Sequence, residues 1–155
     1  MAVPAKTNNI AVANLGMGTL LRLAYQAMMS ESVEPALVRA GFGDVRSAHL
    51  PVFRALSSHP AGMRSTELAT YAGITKQSMG YLVDLLEAGG YVERVQERSD
   101  QRAKAVRLTD RGRKASSTIR DLVFDVEADW GRRVGDDRIR QLRSILQDLV
   151  TSYER

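Results

Sequence analysis

A helix-turn-helix pattern followed directly by a basic β-ribbon constrains the fold of this chain more than any other feature. Residues 67–90 read ELATYAGITKQSMGYLVDLLEAGG, with Gly73 between two helical patterns and Gly89-Gly90 ending the second. The next segment predicts two strands, with apolar residues on both sides of a polar tip. The fold class is therefore mainly α with a small β-wing, a winged helix-turn-helix. The apolar positions are Met79, Leu82, Val83 and Leu86 in the second helix, Tyr91, Val92 and Val95 before the tip, and Ala103, Val106 and Leu108 after it.

Positive charge is concentrated in the ribbon. Residues 94–114 contain eight Lys and Arg against three Asp and Glu, an excess of five, whereas the whole chain has a net charge of only +4. All of the surplus positive charge therefore lies in one short segment. Such a concentration on a projecting loop is what neutralising phosphates requires, and it predicts double-stranded DNA as a partner.

The composition argues against several other classes of protein. The chain has no Cys, which excludes disulfides, thiolate metal sites and cysteine nucleophiles, and two His make a transition-metal site a poor fit. No catalytic arrangement or cofactor motif stands out, so we expect neither an enzyme nor a cofactor. We find no signal peptide and no apolar run near the roughly 20 residues that span a bilayer, and we expect a cytoplasmic protein without a membrane partner.

Helical patterns flank the winged segment on both sides. We predict helices over residues 10–29, 32–40, 46–58, 110–130 and 136–153, with Gly131 and Gly135 bracketing the last turn, and N-caps at Ser65, Thr75 and Thr109. The chain should form one compact unit. Within it, residues 1–45 and 116–155 would supply dimerisation helices around a DNA-binding part at 46–115.

The exposed face of the second helix carries side chains that suit base recognition. A recognition helix enters the major groove N-terminus first, so its first turns meet the base edges. Gln77 can pair with adenine through two hydrogen bonds, Lys76 with guanine, and Ser78 with a base or a phosphate. The alternative is a polar face that only meets solvent.

The ribbon tip carries an arginine that suits the minor groove. Arg102 lies between Asp100 and Lys104, and an arginine on a narrow loop is attracted by the negative potential of that groove. Asp100 would orient the guanidinium. Arg94, Arg98 and Lys104 would contact phosphates, although each could also be an ordinary surface charge.

The block from 66 to 115 resembles the multiple antibiotic resistance regulator (MarR) family of bacterial transcription factors. The resemblance rests on ELA, GITKQSMGYLVDLLEAGGYVER, DQRAK and LTDRGR, and covers about a third of the chain. It implies a homodimeric winged-helix protein. It also implies base reading by Gln77, Ser78 and Tyr81 next to Thr75, minor-groove insertion of Arg102 supported by Asp100, and phosphate binding by Ser65 and Thr66. The sequence QERS before Asp100 departs from the proline-containing turn that is usual there.

The last helix carries more apolar surface than a terminal helix can bury against its own core. Its apolar positions recur every three or four residues, which suits packing against residues 10–29 of a second copy. A twofold dimer would present two recognition helices about one turn of DNA apart, on a near-palindromic operator. We expect repression rather than activation, because a repressor needs only to block the promoter, whereas an activator must contact the polymerase. The predicted interface comprises Ile139, Leu142, Leu146, Leu149 and Tyr153.

The resemblance also implies release from DNA by a small phenolic or aromatic acid. Candidate lining residues are Arg46, which could meet a carboxylate, and His49, with Tyr25 and Phe53 as apolar walls. A structural histidine and a surface arginine are the alternative. Two rival functions remain open, a sequence-tolerant architectural DNA binder and a winged-helix interaction module that does not bind DNA.

Overall fold

The computed structural model describes residues 12–96 and 104–153. Ten regular elements follow one another along these residues. They are α1 (Met17–Met28), α2 (Glu34–Arg39), α3 (Leu50–Ser58), β1 (Met63–Arg64), α4 (Ser65–Ala72), α5 (Lys76–Ala88), β2 (Val92–Gln96), β3 (Lys104–Leu108), α6 (Asp110–Val134) and α7 (Asp136–Ser152). Short 3-10 turns lie at Val12–Asn14 and Ser47–His49. The mainly helical fold with a small wing is therefore as predicted.

The wing has three antiparallel strands in the order β1-β3-β2, not two. Met63 pairs with Val106 on β3, while Gln96 of β2 pairs with Lys104. The two residues of β1 are too few to show an alternating pattern, so sequence reasoning missed this strand. Because β1 runs directly into α4, it ties the wing to the first helix of the helix-turn-helix.

Two of the three predicted N-caps are confirmed. The hydroxyl oxygen of Thr75 accepts the N–H of Ser78, and that of Thr109 accepts the N–H of Gly112. The third prediction is wrong by one residue. Arg64 holds the extended cap position, Ser65 is already helical, and the N–H of Arg64 donates to the Glu67 carboxylate at 2.7 Å.

The predicted break between the first two helices is absent. The chain passes from α1 into α2 through a π-helical turn at Met29–Val33. Pro35, in the first turn of α2, has no N–H to donate to the preceding turn, and the helix widens there instead of ending. At the other end, α1 begins at Met17 after an extended Gly16, later than the predicted 10–29; Ile10 lies outside the described residues.

The turn before α7 also differs from the prediction. α6 continues past Trp130 and through Gly131 to Val134, and the chain reverses at Gly135 with φ 104°. Gly131 is buried inside the helix, where an added Cβ would overlap the Asp136 carboxylate. Gly131 therefore allows close packing of the helix against the start of α7 and does not form the turn.

The hydrophobic core lies under the winged part and the end of the N-terminal helices. Tyr91, which directly precedes β2, is 1% exposed and its ring packs edge-on against Phe53 at 5.8 Å. In contrast, α1 and α7 contain no fully buried residue. None of the helices in the described ranges is long and apolar enough to cross a membrane.

Candidate nucleic-acid interface

The N-terminal turn of α5 presents a row of exposed polar side chains. Lys76, Gln77 and Ser78 are exposed, as is Tyr81 one turn later, whereas Met79 on the opposite face is buried. The face predicted to meet bases is thus free of contacts with the core. Its position at a helix N-terminus also directs the positive end of the helix dipole outwards.

Thr75 organises this turn. Its Oγ1 accepts the N–H of Ser78 at 3.1 Å, and its own hydroxyl donates to Ser78 Oγ at 2.9 Å. With its oxygen already accepting, Ser78 keeps its hydroxyl hydrogen for an outside acceptor. A phosphate oxygen or a base acceptor would satisfy it.

The helix before the turn presents a second candidate surface. Thr66 is exposed and Ser65 is partly exposed in the first turn of α4. Their predicted phosphate contacts stay predictions. Lys104 is exposed at the start of β3, where it pairs across the wing with Gln96. The predicted tip residues Arg98, Asp100 and Arg102 lie outside the described residues.

Arg94 forms ion pairs within the protein. Its guanidinium binds two carboxylates of α5, those of Glu87 and Asp84, the latter at 2.6 Å. Its backbone N–H donates to Glu87 as well, at 3.2 Å. The hydrogen bond to Asp84 is the main cause that raises the pKa of Arg94 above its ordinary value. The predicted phosphate contact would require Arg94 to leave these partners.

Sequence reasoning missed the role of Asp84 and Glu87. The available signal was an i, i+3 acidic pair in the second half of α5, followed closely by an arginine in β2. Arg107 has a similar arrangement across the wing, where it donates to Glu93 at 2.7 Å. Part of the basic surplus of the ribbon is therefore neutralised locally.

A polar cluster joins the base of the wing to the loop after α2. The Tyr91 hydroxyl donates to the Asp44 carboxylate, and Arg111 donates to the Tyr91 oxygen at 3.0 Å and to the Gly41 carbonyl at 3.3 Å. The Arg111 guanidinium also lies 4.7 Å from the centre of the Tyr91 ring. Burial first, and then the bond to Asp44, raise the pKa of Tyr91 above 10.0.

The four candidate ligand residues have different surroundings. Phe53 and His49 are buried, at 2% and 7% exposure, while Tyr25 and Arg46 are exposed. His49 Nδ1 accepts the N–H of Arg46 at 3.1 Å, and the Arg46 guanidinium donates to the carbonyls of Gly43 and Val45. Phe53 thus belongs to the core, and the guanidinium of Arg46 is hydrogen-bonded to carbonyls of its own loop.

A cavity of about 480 Å³ lies elsewhere, between α6 and α7. It is lined by Ile139, Leu142 and Leu146 of the predicted dimer interface, together with charged and polar side chains. Its lining comprises Arg54, Glu127, Trp130, Ile139, Leu142, Arg143, Leu146, Gln147, Val150 and Thr151.

The predicted interface residues of α7 remain uncovered in the single chain. Leu142, Leu149 and Tyr153 are exposed, the last at 87%, and Ile139 and Leu146 are partly exposed. On α1 the apolar residues Met17, Leu21 and Tyr25 are exposed as well. Both terminal helices therefore carry apolar surface that their own chain does not bury.

The capped recognition helix, the helix before it and the three-stranded wing together define a winged helix-turn-helix protein. Residues 44–103 match the model of the MarR family. With the solved structures described next, this match makes the winged part of the chain similar to MarR-family transcription regulators.

Solved structures agree over most of the chain. The transcriptional repressor CouR, bound to a 23-mer DNA duplex, is 26% identical with a TM-score of 0.71, over 87% of this chain and 92% of that one. The Mycobacterium tuberculosis MarR-family protein Rv2887, in complex with salicylic acid, is 29% identical with a TM-score of 0.66, over 88% and 97%. CouR from Rhodococcus jostii RHA1, bound to p-coumaroyl-CoA, is 26% identical with a TM-score of 0.65, over 85% and 90%. No curated protein matches the chain in a sequence search.

Proposed function

We propose that this protein is a homodimeric transcriptional repressor that recognises a near-palindromic DNA operator. The observation that carries the proposal is the N-terminal turn of α5, where Gln77 and Ser78 are exposed beside Thr75 on a face opposite the core. Gln77 would read adenine and Ser78 a base or phosphate, with Tyr81 beside them. The DNA-bound structure of CouR supports the same use of this fold.

The wing would supply the second contact. Lys104 is exposed at the end of the described wing, and the tip residues Arg98, Asp100 and Arg102 follow the pattern for phosphate and minor-groove binding. Contacts of this kind fix the position of a protein on DNA, while the recognition helix supplies the sequence preference.

Dimerisation is supported by the uncovered apolar surface of the terminal helices, which lie in the dimerisation segments 1–45 and 116–155. Pairing α7 with α1 and α7 of a second copy would bury Leu142, Leu149 and Tyr153. A C2 arrangement would then set the two α5 helices at half-sites one helical turn apart.

A small aromatic acid is the proposed inducer. Two similar proteins are bound to salicylic acid and to the thioester p-coumaroyl-CoA, which supports an aromatic acid or its derivative as the ligand class. In this chain Tyr25 and Arg46 are the accessible members of the candidate set, and Arg46 would have to release its loop carbonyls to bind a carboxylate.

Selection of bound duplexes from a random DNA pool at physiological salt tests this function. An enriched inverted repeat with half-sites about ten base pairs apart is the expected result. Binding without an enriched motif would favour an architectural role, and no binding even at low salt would favour an interaction module. Gln77→Ala should alter the enriched motif, while Gln141→Ala, at an exposed glutamine of α7, should not.

A further inference from the structure

Arg94 connects the two elements that the proposed function brings to DNA. It lies on β2, opposite Val106 of β3, while its two carboxylate partners lie on α5. Three hydrogen bonds cross between the elements, two from the guanidinium and one from the backbone N–H. Both the side chain and the main chain of this position are therefore tied to the recognition helix.

The charges of this cluster argue against a phosphate contact by Arg94. Asp84 and Glu87 together carry two negative charges, which Arg94 only partly neutralises. If the guanidinium moved to a DNA phosphate, both carboxylates would lose their partner close to a polyanion. The side chain of Arg94 is also only 26% exposed, whereas that of Asp84 is 67% exposed.

The cluster is not mainly a source of stability. Partly exposed ion pairs contribute little to stability, since solvent screens them. The three hydrogen bonds instead fix the orientation of β2 relative to α5, because a guanidinium held by two carboxylates has a defined plane and direction.

We propose that Arg94 is a positioning residue which, held by Asp84 and Glu87, sets the angle between α5 and the wing so that both fit one operator half-site. This inference rests on the proposed function, since it concerns how a specific duplex is recognised. It replaces the phosphate contact expected from the sequence. The residue acts on DNA only through the elements that it joins.

Salt dependence distinguishes positioning from phosphate binding. Each phosphate contact contributes about 0.9 to the slope of log affinity against log salt. For Arg94→Gln we expect roughly tenfold weaker binding to the selected operator, little change on a random duplex, and an unchanged slope. The matched control Lys104→Gln should weaken both duplexes and lower the slope by about one. A slope that falls by about one in Arg94→Gln, with equal losses on both duplexes, would overturn the proposal.

The acidic partner gives an independent check. Glu87→Gln should reduce operator preference in the same direction as Arg94→Gln. The double variant should lose no more than Arg94→Gln alone, because that substitution already removes the charge pair with Glu87. Under the phosphate model, Glu87→Gln would instead free Arg94 and tighten binding to every duplex. That result would reject positioning.

Amide hydrogen exchange on the free protein needs no DNA and so separates this inference from the proposed function. In Glu87→Gln, the Arg94 amide and the neighbouring β2 amides should exchange faster than in the wild type, while the α3 amides remain unchanged. Unchanged exchange in β2 would refute the link between the wing and α5, whatever the DNA selection finds. Conversely, faster exchange together with no enriched duplex would refute the proposed function alone.

Discussion

The hydroxyl of Tyr91 donates a hydrogen bond to the carboxylate of Asp44, which lies 47 residues earlier in the chain. Tyr91 directly precedes β2, and Asp44 belongs to the loop that follows α2. Arg111, at the start of α6, completes the cluster by donating to the same hydroxyl oxygen. One side chain thus joins three separate segments at the base of the winged part.

Replacing Tyr91 by Phe should destabilise the protein by about 1.5–3 kcal/mol, the range for hydrogen bonds to charged groups. The ring would still fill the core, so only the polar link is lost. Urea unfolding measures the change, and Tyr71→Phe, at an exposed tyrosine of α4, is the control. Equal stability of Tyr91→Phe and the wild type would show that this link contributes nothing.

Acidification should destabilise the protein through His49. Burial lowers the pKa of His49 below 6.5, so the unfolded chain takes up a proton that the folded chain resists. The stabilising contribution is present above pH 6.5 and is lost as the pH falls through the folded pKa. Protonation of Nδ1 would also break its bond from the Arg46 N–H.

His49→Asn places an amide oxygen near the position of Nδ1 but does not titrate. Thermal unfolding measured between pH 7.5 and pH 5, roughly the range in which histidine changes charge, should therefore depend less on pH in this variant. Identical profiles for this variant and the wild type would contradict a role for His49.

Two glycine substitutions should have opposite effects on stability. A Cβ at Gly112 would overlap the carbonyl oxygen of Tyr91, so Gly112→Ala forces α6 away from the wing. We expect a loss of at least about 1–3 kcal/mol, the usual cost of overpacking. Gly80 has no neighbour within 4 Å of an added Cβ, and Gly80→Ala should stabilise α5 by up to about 1 kcal/mol. Chemical unfolding of both variants checks the pair.

Leu149→Glu should convert the proposed dimer into a monomer. Leu149 is exposed on α7, so the substitution disturbs little within one chain but would bury a charge between two. Analytical ultracentrifugation measures the molecular mass. Ser144→Glu, on the opposite side of the same helix, should stay dimeric, and a dimeric Leu149→Glu would reject the proposed interface.

Gln77→Ala should weaken binding to the selected operator by about 1–3 kcal/mol, the cost of losing one good bidentate base contact. The loss should disappear on a duplex whose contacted base pair has been changed. Titration of both duplexes at one salt concentration tests this. An equal loss on both would mean that Gln77 contributes affinity without sequence preference.

The parts of the fold that could be predicted from the sequence are those determined by neighbouring residues. The caps at Thr75 and Thr109 follow from a hydroxyl before a helical pattern, and the end of α4 from a glycine that adopts φ 65°. The exposed face of α5 followed from the spacing of its apolar residues. In each case the cause lies within a few residues of the effect.

The parts that sequence reasoning missed depend on distant segments. The strand β1 exists because two residues meet β3 some forty positions later, and the continuity of α1 into α2 depends on how the backbone widens before Pro35. Arg94 looked like one more positive charge of the ribbon. Only the packing of β2 against α5 assigns it two acidic partners.

Because α1 and α7 contain no fully buried residue, the stability of the protein should depend on its concentration. If these helices gain their apolar contacts only from a second copy, folding and association are one equilibrium, and the melting temperature should rise with protein concentration. Occupying half of the operator sites would then require a minimum concentration of the protein. Below that concentration, dilution alone would release the promoter, without any ligand.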